Sequence, residues 1–210
     1  MSKNMKLLII IFAVIALTLG LWVGKHQSAK KEEPNTLAGS VLSPPQDIAK
    51  FSLVDTKGRP FTNNSLWGHW TFMFFGFTSC TSICPPEMAN LANLYDILLK
   101  QEQNPMPQVV FISVDPENDT LDKLSKYVTS FNPHFQAATG DKSEIDKLTS
   151  SVGVLYTKTL KDKETGEMTI DHSGVILLID PAGKLAAVFS MPHDPPAIAK
   201  DFQTIVQNSG

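Results

Sequence analysis

Two cysteines, Cys80 and Cys84, carry the reactive chemistry that this sequence displays most clearly, and they are its only cysteines. Residues 72–77 before them form an apolar run, and residues 87–100 after them have apolar side chains at helical spacing. This pattern predicts a buried strand, a short loop and a helix whose first turn holds both thiols.

Thiols four positions apart on such a helix share a face, so the two sulfur atoms can approach each other. The positive end of the helix dipole lowers a thiol pKa and favours the thiolate, which can attack a disulfide, be oxidised or bind a metal ion. Two simpler interpretations are weaker. A structural disulfide across so short a loop would constrain the unfolded chain little, and buried, reduced core cysteines do not fit the serine and threonine residues around them.

The elements that must position these thiols alternate between strand and helix patterns. Strands are predicted at 49–55, 59–62, 71–77, 108–114, 137–139, 153–159, 175–179 and 185–190, and helices at 87–100, 120–131, 141–152 and 195–207. Helices between the early strands predict parallel pairing through right-handed crossovers, whereas the last two strands predict a hairpin. These elements predict an α/β protein with a thioredoxin-like fold, in which helices flank a mixed central β-sheet. Asp141 and Glu144 predict a capping box on the third helix.

Two thiols alone make an incomplete metal site, and the histidines that could complete it are His26, His69, His134, His172 and His193. His172 is the best placed, because it directly precedes the strand at 175–179. The start of that strand faces the cysteine loop if it runs antiparallel to the strand that ends there. Two thiolates and one imidazole form a soft, three-coordinate set that suits Cu(I) and can also hold Cu(II), whereas zinc usually takes a fourth ligand.

The N-terminal part of the chain differs in character from the rest. Residues 7–24 carry no charge and are long enough to cross a bilayer. Polar residues follow without an A-x-A-like cleavage site, so we expect an uncleaved transmembrane anchor and not a cleaved signal peptide. Residues 1–6 then form a short tail, which is cytoplasmic if the folded domain lies outside the cytoplasm. The proline-containing residues 25–47 form a flexible tether, and residues 48–210 form the folded copper-binding domain. Charges on both sides of the anchor leave its orientation open.

The composition excludes one broad class of function. The chain is 42% hydrophobic and 19% charged, as in globular proteins, and its net charge of −3 gives no basic surface for nucleic acid.

The cysteine region resembles a family motif. Residues 68–88, GHWTFMFFGFTSCTSICPPEM, are similar to the Sco/SenC motif FGFTxCxxxCP. Further matches to this family are residues 113–116, Asp119-Thr120, Gly140, Asp171-His172-Ser173 and the hairpin at 178–183. The matches run in order through the whole of the predicted folded domain.

The resemblance implies a thioredoxin-like fold, a membrane anchor, and one copper ion per domain, bound as Cu(I) or Cu(II) by Cys80, Cys84 and His172. It further implies a metallochaperone that helps to assemble the dinuclear copper site of cytochrome c oxidase. Its partners would be the copper-binding subunit of that enzyme and another copper chaperone or a thiol reductase. The family's soluble domain is extracytoplasmic. It faces the bacterial periplasm or the mitochondrial intermembrane space, which would decide the orientation of the anchor.

One departure from the family pattern lies between the ligands. Many members have proline and aspartate after the first cysteine, where this chain has Thr81 and Ser82. The ligands are unaffected, but a negative charge beside them is absent. We expect this difference to bear on thiol pKa, on the preferred oxidation state of copper or on partner docking.

Three aspartates, Asp115, Asp119 and Asp171, are candidates for orienting the ligands or contacting a partner. For Asp119 the alternative role is capping of the following helix, which Thr120 could also perform. Met191 and His193 lie in a proline-rich stretch, where they either assist copper or fill a surface gap.

Three other functions compete with a copper chaperone. A thiol-disulfide oxidoreductase of this fold normally has C-x-x-C and a proline before the strand that faces it. Here three residues separate the cysteines, and Ser173-Gly174 precede that strand. Reduction of a partner's disulfide by the same thiols stays open as an enzymatic activity.

A peroxiredoxin needs a threonine three residues before its cysteine, where Phe77 stands. A membrane-coupled copper or redox sensor would need a partner, because residues 1–6 are too short for an output domain.

Overall fold

Ten strands and four α-helices are described in the computed structural model, which covers residues 37–160, 168–172 and 174–209. The strands are β1 (Gly39–Gln46), β2 (Ser52–Asp55), β3 (Pro60–Thr62), β4 (Thr71–Gly76), β5 (Gln108–Ser113), β6 (Gln136–Thr139), β7 (Tyr156–Leu160), β8 (Met168–His172), β9 (Ile176–Ile179) and β10 (Leu185–Phe189). The helices are α1 (Cys84–Lys100), α2 (Leu121–Phe131), α3 (Lys142–Ser151) and α4 (Pro195–Asn208), with a 3₁₀ turn at Asn63–Ser65.

Eight of these strands form one mixed sheet in the order β1-β10-β9-β4-β5-β6-β2-β3. The neighbours β4, β5 and β6 are parallel, and all other neighbouring pairs are antiparallel. The predicted mixed sheet, the parallel pairing of the early strands and the β9–β10 hairpin are thereby confirmed. The strands β7 and β8 form a separate antiparallel pair.

Strand β4 lies at the centre of the sheet and determines where the cysteine loop begins. All six of its residues are buried, so both faces of the sheet are covered here. Gly76, its last residue, pairs with Ser113 at the end of β5, and Phe74 pairs with Ile176 at the start of β9. The last residues of β4 and β5 and the first residue of β9 therefore lie side by side at the same end of the central strands.

The helix starts follow local sequence rules in two cases and not in a third. Helix α1 has proline at its first positions, where no backbone N–H is needed, and the Thr120 hydroxyl caps α2 by accepting from the Lys123 N–H. The capping box predicted for α3 is wrong, because the Asp141 side chain makes no capping hydrogen bond. Instead, the Glu144 carboxylate accepts from the Ser52 N–H at 2.9 Å, which joins α3 to the start of β2.

Strand β1 lies within residues 25–47, which the sequence assigns to the tether. It pairs with β10 at the edge of the sheet, and the Gly39 N–H donates to the buried Asp201 carboxylate at 3.0 Å. Most β1 side chains are exposed. Because main-chain bonds hold this edge strand, it lacks the alternating apolar pattern by which a strand is recognised in a sequence.

The described residues 37–160, 168–172 and 174–209 contain no helix that is both long and apolar enough to span a membrane. The predicted anchor at 7–24, the tail at 1–6 and His26 lie outside these residues.

Candidate metal centre

The two thiols lie where β4 gives way to α1, both reduced and both buried. Cys84 is the first residue of α1 and is fully buried, and Cys80 is 8% exposed in the loop before it. The Sγ atom of Cys80 accepts a hydrogen bond from the Cys84 N–H at 3.3 Å. The sulfur of Cys80 therefore takes the place of a side-chain cap at the helix N-terminus.

The two thiols differ in acidity because their surroundings differ. Burial acts to raise the pKa of Cys80, but hydrogen bonds from the Cys84 backbone N–H, the Cys84 thiol and the N–H groups of residues 82 and 83 outweigh it and lower the pKa. Burial raises the pKa of Cys84 far above its usual range, and the neighbouring Cys80 raises it further. Cys80 is thus the more acidic of the two thiols, and the Cys84 thiol donates to it.

Gly76 leaves the space into which the Cys84 sulfur fits. A Cβ atom at position 76 would lie 2.7 Å from the Sγ atom of Cys84 and 2.9 Å from the ring of Phe111. Real Cβ contacts are not this short. The absence of a side chain at the end of β4 therefore lets the inner thiol pack against the strand.

Asp119 joins the cysteine loop to the end of β5. Its carboxylate accepts from the Thr78 N–H at 3.0 Å, from the Thr78 hydroxyl at 2.5 Å and from the Ser113 hydroxyl at 2.7 Å. The residue is 1% exposed, and the ammonium of Lys123 lies 3.8 Å away. Asp119 thus fixes Thr78, two residues before Cys80, while Thr120 caps the helix that follows.

Asp115 has a more local role than Asp119. Its carboxylate accepts from the side-chain amide of Asn118 at 2.8 Å, and its N–H donates to the Ser113 hydroxyl at 3.1 Å. These bonds shape the turn between β5 and α2, which carries Asp119. Asp115 therefore acts on the cysteine loop through Asp119.

His172 ends β8, where its main chain pairs with Tyr156; the sequence analysis predicted no strand here. Two residues further on, a Cβ atom at Gly174 would lie 3.1 Å from Cγ2 of Ile83, which immediately precedes Cys84. The segment that follows His172 therefore reaches the cysteine loop.

The imidazole of His172 and the carboxylate of Asp171 lie outside the side chains that the structure describes. The described side chains contain no cluster of three His, Cys, Asp or Glu residues. The set Cys80, Cys84 and His172 therefore stays a prediction, as does a role for Asp171.

The other described histidines lie in different surroundings. His69 is exposed next to Trp70, which precedes β4 at the end opposite the cysteines. His134 stacks on Tyr95, with 5.8 Å between ring centroids. His193 has its side chain fully buried, and its Nδ1 atom lies 2.5 Å from the Glu87 carboxylate.

The sequence analysis did not identify Gly76, Gly174 or Glu87 as parts of this region. The glycines carry no functional group, and only the close approach of Cys84 and Ile83 shows their role. Glu87 follows the prolines by one position and pairs with His193, 106 residues away, so no local pattern reveals the pair. The one sequence signal for this pair is the charged residue Glu87 within the first buried turn of a helix.

Known proteins with the same fold and similar sequences include copper-bound structures. The SCO1/SenC family model matches residues 42–207. Copper-bound ScoI of Arabidopsis thaliana is 34% identical, with a TM-score of 0.71 over 77% of this chain and 98% of that one. Copper-bound ScoI of Bradyrhizobium japonicum is 33% identical, with a TM-score of 0.64 over 74% of this chain and 98% of that one.

Two curated relatives differ in length. The SCO2-like protein RT0576 of Rickettsia typhi is 33% identical over 88% of this chain and 90% of its own length. The mitochondrial SCO1 homolog 1 of Arabidopsis thaliana is 35% identical over 82% of this chain, and this chain spans only 49% of that protein. The match covers almost the whole described domain, including the cysteine loop and the strands that hold it, and the chain therefore belongs to the SCO1/SenC family.

Proposed function

We propose that this chain is a membrane-anchored, copper-binding metallochaperone that acts outside the cytoplasm. It would deliver copper to, or prepare the thiols of, the dinuclear copper site of cytochrome c oxidase. The observation that carries the proposal is the pairing of Cys80 and Cys84 at the start of α1, where the Cys84 N–H donates to the Cys80 sulfur. The copper-bound structures of the similar ScoI proteins support the same assignment.

The donor set fits copper in chemistry and in place. Thiolate sulfur is a soft ligand that favours Cu(I), and an added imidazole also permits Cu(II). The pKa of Cys80 is lowered and that of Cys84 is raised, so release of the Cys84 proton is the costlier of the two when both sulfurs bind the ion. His172, two residues before the Gly174 that approaches Ile83, would supply the third ligand.

Cu(I) titration of the reduced full-length protein in detergent tests this assignment. We expect one ion per chain, and a loss of affinity of more than about 100-fold in Cys80→Ser, Cys84→Ser and His172→Ala, because even outer partners of a ligand cost 10–100-fold. His69→Ala is the matched control, since this histidine lies at the opposite end of β4, and it should bind as the wild type does. Unchanged affinity in any of the three ligand variants would refute the ligand set.

Thiol-disulfide exchange is the second candidate, because the pKa of Cys80 is lowered and the pKa of Cys84 is raised. The Cys80 thiolate would attack one sulfur of a partner's disulfide, which breaks that bond and forms a mixed disulfide. Cys84, on losing its proton, would then attack the Cys80 sulfur and release the partner's thiolate. The chain would end with a Cys80–Cys84 disulfide, and the partner would gain two thiols.

The two candidates give opposite results with a peptide that carries an oxidised two-cysteine copper motif. A reductase would reduce this peptide without copper, and Cys84→Ser would be trapped as a mixed disulfide. A copper donor would transfer Cu(I) to the reduced peptide and leave the oxidised one unchanged.

A further inference from the structure

Met191 places a thioether beside the cysteine loop. A Cβ atom at Gly174 would lie 2.8 Å from Sδ of Met191 and 3.1 Å from Cγ2 of Ile83. The Met191 sulfur and the Ile83 side chain therefore both lie against Gly174. Met191 is nevertheless 48% exposed, so the core does not enclose this residue.

The loop that carries Met191 is held by a largely buried hydrogen-bonded pair, His193 and Glu87. Nδ1 of His193 lies 2.5 Å from the Glu87 carboxylate, and its Nε2 donates to the Phe189 carbonyl at 2.9 Å. Glu87 belongs to the first turn of α1, which begins with Cys84. The loop at 189–193 is therefore fixed to the same helix turn that carries the inner thiol.

An exposed methionine on a fixed loop is unusual for a residue that only fills a gap. Gap-filling methionines are buried in irregular parts of the core, as Met88 is on α1. A thioether is also a neutral, soft ligand, which binds Cu(I) far better than the harder Cu(II). Position, exposure and chemistry together match an ion that enters or leaves the thiol site.

We propose that the Met191 thioether is a transit contact for Cu(I) at the mouth of the thiol site. It binds the ion while the ion passes between Cys80 and an external donor or acceptor, and no electron or proton is transferred in this step. The inference rests on the proposed copper function. It adds a residue outside the predicted ligand set and a selectivity for the reduced ion.

The rate of copper release tests the inference. Full-length protein loaded with Cu(I) is mixed with excess bathocuproine disulfonate, and protein loaded with Cu(II) is mixed with excess EDTA. We expect Met191→Leu and Met191→Ala to slow Cu(I) release about tenfold, because both lack the soft sulfur, and to leave Cu(II) release unchanged. Met106→Leu is the matched control, since Met106 precedes β5 at the opposite end of the sheet, and it should release Cu(I) as the wild type does.

Each other outcome contradicts the inference in a recognisable way. Unchanged or faster Cu(I) release in Met191→Leu would overturn it. Slowing in Met191→Ala alone would show that bulk matters and sulfur does not, and equal slowing of Cu(I) and Cu(II) would show that loop packing matters. If the wild-type protein takes up no Cu(I), the proposed function itself fails. The urea midpoint of each variant, measured in parallel, shows whether the fold is intact.

Discussion

The Sγ atom of Cys84 occupies the space that a side chain at Gly76 would need, with only 2.7 Å between that sulfur and a Cβ atom built at position 76. The last residue of β4 and the first residue of α1 are thus packed against each other across the cysteine loop. This contact determines how deeply the Cys84 thiol is buried. The position of Cys84 therefore depends on Gly76, which has no functional group of its own.

We predict that Gly76→Ala destabilises the protein and displaces the inner thiol. The added methyl group overpacks a site closed by the Cys84 sulfur and the Phe111 ring, which typically costs about 1–3 kcal/mol. Urea unfolding of the reduced full-length protein measures the loss.

A double-mutant cycle identifies the source of this cost. In a Cys84→Ala background the sulfur is gone, so Gly76→Ala should cost less there, and the remainder belongs to Phe111. If Gly76→Ala lowered the free energy of unfolding equally in the wild type and in Cys84→Ala, the Cys84 sulfur would not be what excludes a side chain at position 76.

We predict that Cys80 reacts with iodoacetamide before Cys84 and at lower pH than an ordinary cysteine. The pKa of Cys80 is lowered, so its alkylation rate should reach half of its maximum at a lower pH than that of an unperturbed cysteine. The pKa of Cys84 is raised, so Cys84 should stay unmodified near neutral pH. Peptide mass spectrometry after timed quenching gives both rates.

Cys84→Ala tests the cause of this reactivity. The variant removes the thiol that donates to Cys80, so the midpoint should move to higher pH. A midpoint that stays in place would assign the acidity to the backbone N–H groups alone.

The same two thiols have opposite effects on the pH dependence of stability. The pKa of Cys80 is lowered by folding, so its contribution is present above the unfolded pKa and is lost as pH falls through the folded value. The pKa of Cys84 is raised, so its contribution is present below the unfolded pKa and is lost as pH rises through the folded value. We expect Cys84→Ala to remove the loss of stability on the alkaline side, as seen in urea midpoints between about pH 7 and 10.

The cysteine loop and the central strands could be predicted from the sequence because their signals are local. Residues 72–77 form a continuous apolar run, and helical spacing begins directly after the thiols. Strand β1 could not be predicted, because main-chain pairing with β10 leaves no pattern in its mostly exposed side chains. The Glu87–His193 pair joins residues 106 positions apart, and such a contact exists only once the sheet has formed. The capping box failed because tertiary contact with Ser52 takes the Glu144 carboxylate.

We predict that Asp119→Asn loosens the cysteine loop. The buried carboxylate accepts three hydrogen bonds from Thr78 and Ser113, and an amide cannot accept all three without turning its NH₂ group toward a donor. A loss of about 2–3 kcal/mol in unfolding free energy is expected, as for hydrogen bonds to a buried charged group. Faster amide hydrogen exchange at Thr78 would report the same change locally.

Asp122→Asn is the matched control for this variant. Asp122 lies on α2 and pairs with Lys126, but both side chains are 76% exposed, so the variant should cost less than about 1 kcal/mol. Equal costs in the two variants would contradict the role of Asp119 in holding the loop.

We predict that the Glu87–His193 pair holds the Met191 loop. Removing one partner alone should destabilise the protein, whereas replacing both together should not. His193→Ala leaves the Glu87 carboxylate buried without its imidazole partner, which should cost about 3–5 kcal/mol. Replacing both partners together, as in Glu87→Met with His193→Leu, leaves no unpaired charge and should recover most of that loss, because apolar groups of similar volume often replace buried pairs without net cost. Urea unfolding of the single and double variants measures this difference. If the double variant were as unstable as His193→Ala, the pair would matter for the shape of its side chains and not for its charge.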